Sequence, residues 1–226
     1  MVEQSTPLVS ALAPASLDDP FYYLKNLQAV VTWVMTHHHD LLNAEELTTL
    51  QQLLQLSIPA QALLARMIIR KGELFRSDKL QYDEIPASDK ALIELFKHGF
   101  IDNNPLIDIE QIHRHCRRDE LRNLLIAAGS ALPKSATKSE LLIALETLDL
   151  AASASPLHDW WPEAPFSLVS LQCMALFDLL RLLFFGNLHQ DWSEFVLTEL
   201  GHQAYEVVAF DPQFRAFGDR DDVNSY

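Results

Sequence analysis

Apolar residues three and four positions apart run through most of this chain, and only six glycines interrupt its 226 residues. That spacing lines apolar side chains along one stripe of an α-helix, so the chain is expected to be mainly α. Leu24, Leu27, Val30, Val31 and Val34 mark a first helix that ends in the run His37-His38-His39. Asn43 opens a second through a capping box with Glu46, followed by Leu47, Leu50, Leu53 and Leu54. Pro59 stands in the first turn of a third, where its missing N–H is harmless. That helix runs to Arg70, with Gly72 as its stop. Ser88–His98 forms a fourth, stopped by Gly99. Between them, Leu74–Ile85 partly alternates apolar and polar residues, and Phe100–Ile107 returns as a wing or strand.

This order predicts four regions. Residues 1–20, rich in Ser, Pro and Ala, form a flexible leader. Residues 21–108 form a winged-helix-like domain with a small β ribbon. Residues 109–150 form a helix–loop–helix: Leu121, Leu124 and Leu125, then the loop Ala127–Ala136, then a helix capped by Thr137 and Glu140 and carrying Leu141, Leu142 and Leu145. Residues 151–226 form a helical region that resumes at Pro165 after a linker, pairs across Gly186-Asn187, continues from Asp191 to Leu200 and ends in an acidic tail. Apolar surface near Leu182–Phe185 is expected to stay exposed and to pack a further domain or a partner. Phe166–Gly186 is almost long enough to span a bilayer, but Asp178 and Arg181 lie within it. Each charge at mid-membrane costs about 2.5–3.5 kcal/mol, so a buried helix, and no membrane partner, is expected.

Net charge is −14, which by itself disfavours a nucleic-acid partner. The distribution changes that reading. Thirteen of the 17 Lys+Arg fall between Arg66 and Lys138 beside 11 acids, a local net of +2, while the remainder carries −16. Only this middle third can track phosphate. Arg66, Arg70, Lys71, Arg76 and Lys79 place five cations within fourteen residues, with Tyr82 close by. Arg66 and Arg70 are four apart and share a helical face. Two readings fit: a phosphate-tracking surface, or a solvated basic face that favours a helix C-terminus. Lys138, in the first turn of the capped helix, makes a second candidate anion site with Lys134 and Arg118, against the alternative of an ordinary helical hairpin. A different class of function fits the acidic remainder: a helical protein-interaction scaffold that docks through its C-terminal helices.

No catalytic constellation is defensible. There is no Gly-rich phosphate loop, G-x-S-x-G or HExxH, and no PD…(D/E)xK order. Adjacent His37, His38 and His39 splay around a helix and cannot share one ion. His113, His115 and Cys116 lie beside three arginines that repel a cation. Neither set is expected to bind metal, and no cofactor is expected in this chain. Two cysteines, Cys116 and Cys173, and an N-terminus without a basic, apolar leader fit a reducing, cytoplasmic location.

Three strings resemble the Fanconi-associated nuclease family, whose members end in a VRR-NUC domain: FYYLKNLQAVVTWV (Phe21–Val34), PAQALLARMIIRKGELFRSDKLQYDEI (Pro59–Ile85) and LLFFGNLHQDWSEFVLTELG (Leu182–Gly201). The resemblance implies a region of a structure-specific DNA repair nuclease that acts on 5′ flaps and interstrand crosslinks. It implies a winged helix and a SAP-type helix–loop–helix that hold duplex DNA, then the start of a TPR-like helical middle. The expected partners are duplex DNA with a flap or junction and the family's own TPR-like and VRR-NUC domains. The VRR-NUC domain, a metal-dependent phosphodiesterase of the 5′-flap endonuclease and exonuclease type, would carry Mg or Mn and is absent from this chain, which is expected to be a segment of a longer, nucleoid-associated protein. Positions matching the family's DNA-contacting segment are Arg66, Arg70 and Lys71, followed by Lys79 and Tyr82. The SAP-like match is DELRNLLIAAG…TKSELLIAL within Asp119–Leu145. Ala136 departs from it, standing where many SAP loops carry Gly.

Overall fold

A computed structural model describes residues 19–130, 132–148, 154–192 and 215–226. In chain order the described elements are α1 (Tyr22–His37), α2 (Ala44–Gln55), α3 (Ile58–Ile68), β1 (Leu74–Arg76), α4 (Ser88–Lys97), β2 (Ile101–Asp102), α5 (Ile109–His115), α6 (Arg118–Ala127), α7 (Lys138–Glu146), α8 (Leu157–Trp160), β3 (Leu168–Leu171), α9 (Met174–Phe185) and α10 (Arg220–Asn224). The chain is mainly helical, with a three-stranded antiparallel sheet. It divides into two compact units interleaved in sequence, where the sequence reading divides it linearly. The first takes the described residues up to Lys71, Tyr82–Phe100, and those from Cys173 onward; the second takes Gly72–Gln81 and the described residues of 101–172. The leader to residue 18, residues 151–153 of the expected 151–159 linker and most of the expected Asp191–Leu200 helix fall outside the described residues.

In the first unit α3 is the central helix. Ala60, Ala62, Leu63, Leu64, Ala65, Met67 and Ile68 are all buried, as expected for a helix apolar around most of its circumference. Helices α1 and α4 pack on it, and α9 packs on α1. Helix α1 buries the periodic residues Leu24, Leu27, Val30, Val31 and Val34. The Asn43 capping box forms: Glu46 N–H donates to Asn43 Oδ1 at 2.9 Å and Asn43 N–H to Glu46 Oε2 at 2.8 Å. Helix α3 stops at Ile68, two residues before the expected end.

Within α9, Phe177, Leu180, Leu182 and Leu183 are buried, and Arg181 pairs with Asp178 at 3.0 Å. The expected exposed apolar patch at Leu182–Phe185 is not there. Leu182 and Leu183 are buried and Phe184 and Phe185 half-buried, with Phe184 set edge-on to Trp33 of α1, their centroids 5.2 Å apart. The apolar face is thus used within the unit. No helix of the described residues is long and apolar enough to cross a membrane.

Gly186 caps α9 in the left-handed region (φ 72°), and a Cβ built there would lie 3.2 Å from the Ala216 Cβ. Gly99, after α4, has a similar φ of 76° with nothing within 4 Å. Gly99→Ala is therefore expected to lose only the conformational part, about 1 kcal/mol, and Gly186→Ala about 1–2 kcal/mol more through the contact. Urea unfolding of both variants checks this; equal losses would contradict it.

The second unit is built on its sheet, in the order β1-β3-β2. Phe75 faces Val169, and Ile101 faces Leu171. The ribbon expected within 74–85 and the wing expected within 100–107 do not form hairpins. Strands β1 and β2 each pair with β3, and from Tyr82 to Ile85 there is one isolated bridge. The segment after Pro165, expected to be helical, instead supplies β3. Leu168, Val169 and Leu171 are buried there, as suits a strand with neighbours on both edges.

Residues 109–127 make two helices where one was expected. Cys116 and Arg117 are extended (ψ 142° and 162°), and Glu120 restarts the helix by accepting the Arg117 N–H at 2.6 Å. The Thr137 cap forms as the sequence predicts, with Thr137 N–H donating to Glu140 at 2.7 Å. The core joins Ile112, Leu121, Leu125, Leu141, Leu145 and Trp160. Ala136 belongs to it, 4 % exposed. Among described residues only glycines have positive φ, so this loop does not need glycine at position 136.

Candidate nucleic-acid interface

In the first unit the candidates gather at the end of α3. Arg66 lies in its last turn, where the helix dipole favours a cation. Past the helix, a turn closed by Arg70 N–H donating to the Met67 carbonyl (3.1 Å) brings Arg70 and Lys71 to the surface, both exposed.

Arg66 does not face solvent freely. It donates to Glu84 Oε1 from Nε at 2.9 Å and from Nη2 at 2.5 Å. Its Cζ sits 4.0 Å from the Tyr23 ring centroid and 5.2 Å from that of Tyr82. The Tyr23 hydroxyl donates to the same Glu84 oxygen at 3.1 Å. Burial, then the Glu84 charge, pushes the Tyr23 phenol well up. Burial also pushes the Glu84 carboxyl up, but its own backbone N–H and the Arg66 guanidinium outweigh it and hold the group below the usual carboxylate range. The Tyr82 hydroxyl accepts from Arg70 Nη1 at 3.4 Å. Arg66, Arg70 and Tyr82 therefore do come together, through Glu84 and Tyr23, two residues the sequence reading passed over.

In the second unit Arg76 is an internal cation. Its side chain is 10 % exposed. Nη1 and Nη2 donate to the two Glu120 oxygens at 2.6 and 2.8 Å, Nη1 also to the His115 carbonyl at 3.0 Å, and Nε and Nη2 to Asp78 at 2.9 and 3.0 Å. The guanidinium stacks 3.6 Å from the Phe166 ring centroid. Glu120, and after it Asp78, holds the Arg76 charge well above its ordinary range despite burial. With its donors spent inside the unit, Arg76 has little left for phosphate, in contrast to its place in the expected surface. Lys79 is exposed, 3.5 Å from Asp78. Arg118 is exposed and pairs with Asp119 at 3.0 Å. Lys134 is exposed in the loop before α7, and Lys138, half-buried, is the first residue of α7.

Burial pushes the Cys116 thiol up to about 12, with the Glu120 charge adding to it, so it is neither a thiolate nucleophile nor a ready metal ligand. Among the described residues no three His, Cys, Asp or Glu side chains are placed to hold a metal ion.

A family model described as the HTH domain of FAN1 matches residues 21–102. A Fanconi-associated nuclease 1 homolog of Pseudomonas aeruginosa is 39% identical over 227 residues, an alignment covering all of this chain and 40% of that protein. The chain is homologous to part of Fanconi-associated nuclease 1. A family member from Danio rerio, Fanconi-associated nuclease 1, is 33% identical over 107 residues, 46% of this chain and 11% of that protein. The chain thus spans two fifths or less of the length of these relatives. Among solved structures of the family, a crystal structure of paFAN1 bound to DNA with a two-nucleotide 5′ flap and a gap matches with a TM-score of 0.81 at 39% identity, covering 94% of this chain and 38% of that one. Its counterpart with a one-nucleotide flap gives 0.80, covering 92% and 38%.

Proposed function

We propose that this chain is the DNA-gripping region of a structure-specific 5′-flap repair nuclease, holding duplex backbone beside a flap or junction. What carries the reading is its 39% identity, over nearly its whole length, to a protein crystallised on 5′-flap DNA. The gathering of cations between Arg66 and Lys138 in an otherwise acidic chain points the same way. The residues of α1–α4 act as a winged-helix-like module, and α6, α7 and the loop between them as a SAP-type element. The segment from α9 onward begins a TPR-like region. Arg70 and Lys71, with Tyr82, hold one stretch of phosphate; Lys79, Arg118, Lys134 and Lys138 hold another. Recognition is by charge and shape, with little base readout. The protein works in the cytoplasm, on the nucleoid. Hydrolysis, with its Mg or Mn ions, belongs to a VRR-NUC domain beyond these residues. Among the described residues no cluster of His, Cys, Asp or Glu is placed to hold those ions.

A salt titration of binding to a 5′-flap duplex and to plain duplex tests this. Affinity should fall steeply with salt, and the flap should bind more tightly. Arg70→Ala and Lys71→Ala should each weaken binding to all sequences alike and flatten the slope of log K against log salt by about one. Arg66→Ala is a poor probe, because it strands Glu84 and confounds binding with folding. Absence of duplex binding at low salt would reject the reading.

A further inference from the structure

We infer that Glu84 is a positioning residue for DNA binding, acting through the Tyr23–Arg66–Tyr82 stack to set Arg70 at the end of α3. The inference rests on the DNA-gripping role proposed above.

An acid beside a phosphate-binding surface is, by charge alone, a liability: it repels the ligand. Glu84 is nonetheless built in. Its Oε1 takes three donors, two from Arg66 and one from Tyr23. These fix the guanidinium against the Tyr23 ring and beside the Tyr82 ring, an arrangement that cation–π attraction favours. Tyr82 in turn offers its hydroxyl to Arg70. The chain of contacts runs from a half-buried carboxylate to an exposed guanidinium, and each link limits the freedom of the next. A long, exposed arginine loses rotamer entropy when it grips phosphate. Holding Arg70 near its working position removes part of that loss before DNA arrives.

Glu84→Gln separates this role from its alternatives, because the substitution removes one negative charge and so shifts the net charge by +1. If Glu84 only repelled DNA, or only kept Arg66 from phosphate, the variant would bind more tightly. If Glu84 only supported the fold, stability would fall while binding by the folded molecule stayed the same. The positioning role requires binding to weaken, by roughly five- to tenfold, despite the gained charge.

The decisive readout is a double-mutant cycle on 5′-flap duplex with Glu84→Gln and Arg70→Ala, each measured where the protein is folded by circular dichroism. The Arg70→Ala penalty should shrink at least threefold in the Glu84→Gln background. Tyr82→Phe, which removes only the hydroxyl that Arg70 donates to and spares the Arg66–Glu84 pair, should shrink it as well. That variant serves if Glu84→Gln does not fold. Additive effects of Arg70→Ala with both variants, or tighter binding by Glu84→Gln, would overturn the inference. Failure of the unaltered chain to bind duplex would instead remove the DNA-gripping role itself.

Discussion

Arg76→Ala should destabilise the second unit by about 3–5 kcal/mol, the range for stripping one partner from a buried ion pair. The substitution leaves Glu120 charged, 17 % exposed and without the guanidinium that holds its carboxyl below the usual range. Glu120 also accepts the Arg117 N–H that starts α6, so the helix start is disturbed with it. The Phe166 ring loses its cation, and the His115 carbonyl at the end of α5 loses a donor. Arg76→Lys should recover little. An ammonium keeps the charge, but it cannot reach both Glu120 oxygens, Asp78 and the His115 carbonyl in one plane while stacking on Phe166. Hydrogen–deuterium exchange resolved along the chain checks this: amides of α6 and α7 should exchange at least a hundredfold faster in Arg76→Ala. A change smaller than tenfold would mean that Arg76 is not the hub its contacts describe.

Stability should fall by about 3 kcal/mol between pH 6.5 and pH 4 because of one histidine. His38 is 3 % exposed at the end of α1. Burial, and after it the Arg215 charge, opposed by Asp40, with His37 adding a little, together lower its pKa from 6.5 to about 4. In the unfolded chain the imidazole takes its proton near pH 6.5; in the folded chain it stays neutral until about pH 4. Between those values the unfolded state binds more protons, so stability rises with pH there and is level outside the window. Burial also lowers the His115 pKa, with Arg114 and Arg76 adding to it, which gives the second unit a slope of the same sign. The paired carboxylates respond at lower pH. Asp40, held down by Arg215, and Glu120, held down by Arg76, contribute above their unfolded pKa, and that part is lost as pH falls through the depressed values. Thermal melts across pH 4–8 should show the His38 slope in the unaltered chain and its loss in His38→Gln. An equal slope in both would remove the argument.

Local chemistry was legible in the sequence, and distant pairing was not. The Asn43 and Thr137 caps were readable because a capping box is complete within four residues. The α9 helix was assigned to a protein interior because Asp178 and Arg181 sit in its apolar run. Strand β3 was missed: four residues carry almost no periodic signal, and β1 lies more than ninety positions earlier. The break at Cys116-Arg117 is not visible in the pattern, because Ile109, Ile112 and Cys116 before it and Leu121, Leu124 and Leu125 after it each keep a helical spacing, and no Gly or Pro stands between them. Arg66 and Arg76 were correctly seen as cations. Their partners Glu84 and Glu120 lie 18 and 44 residues away, so the side chains that set how much of each guanidinium remains for a ligand could not be read from its neighbours. Lys71, just past the expected end of a helix, and Lys134, within the expected Ala127–Ala136 loop, are both exposed.

The strand order β1-β3-β2 has a consequence for how this chain is made. Neither outer strand can bond to the other; both wait for Leu168–Leu171. During synthesis, two short edges with unpaired amides and carbonyls emerge from the ribosome long before the strand that satisfies them. The helices of 109–146 are local and can form during that interval. Closing the sheet is therefore a late event in vectorial folding, and a polypeptide cut between residues 150 and 168 would leave both edges open to pairing with other chains.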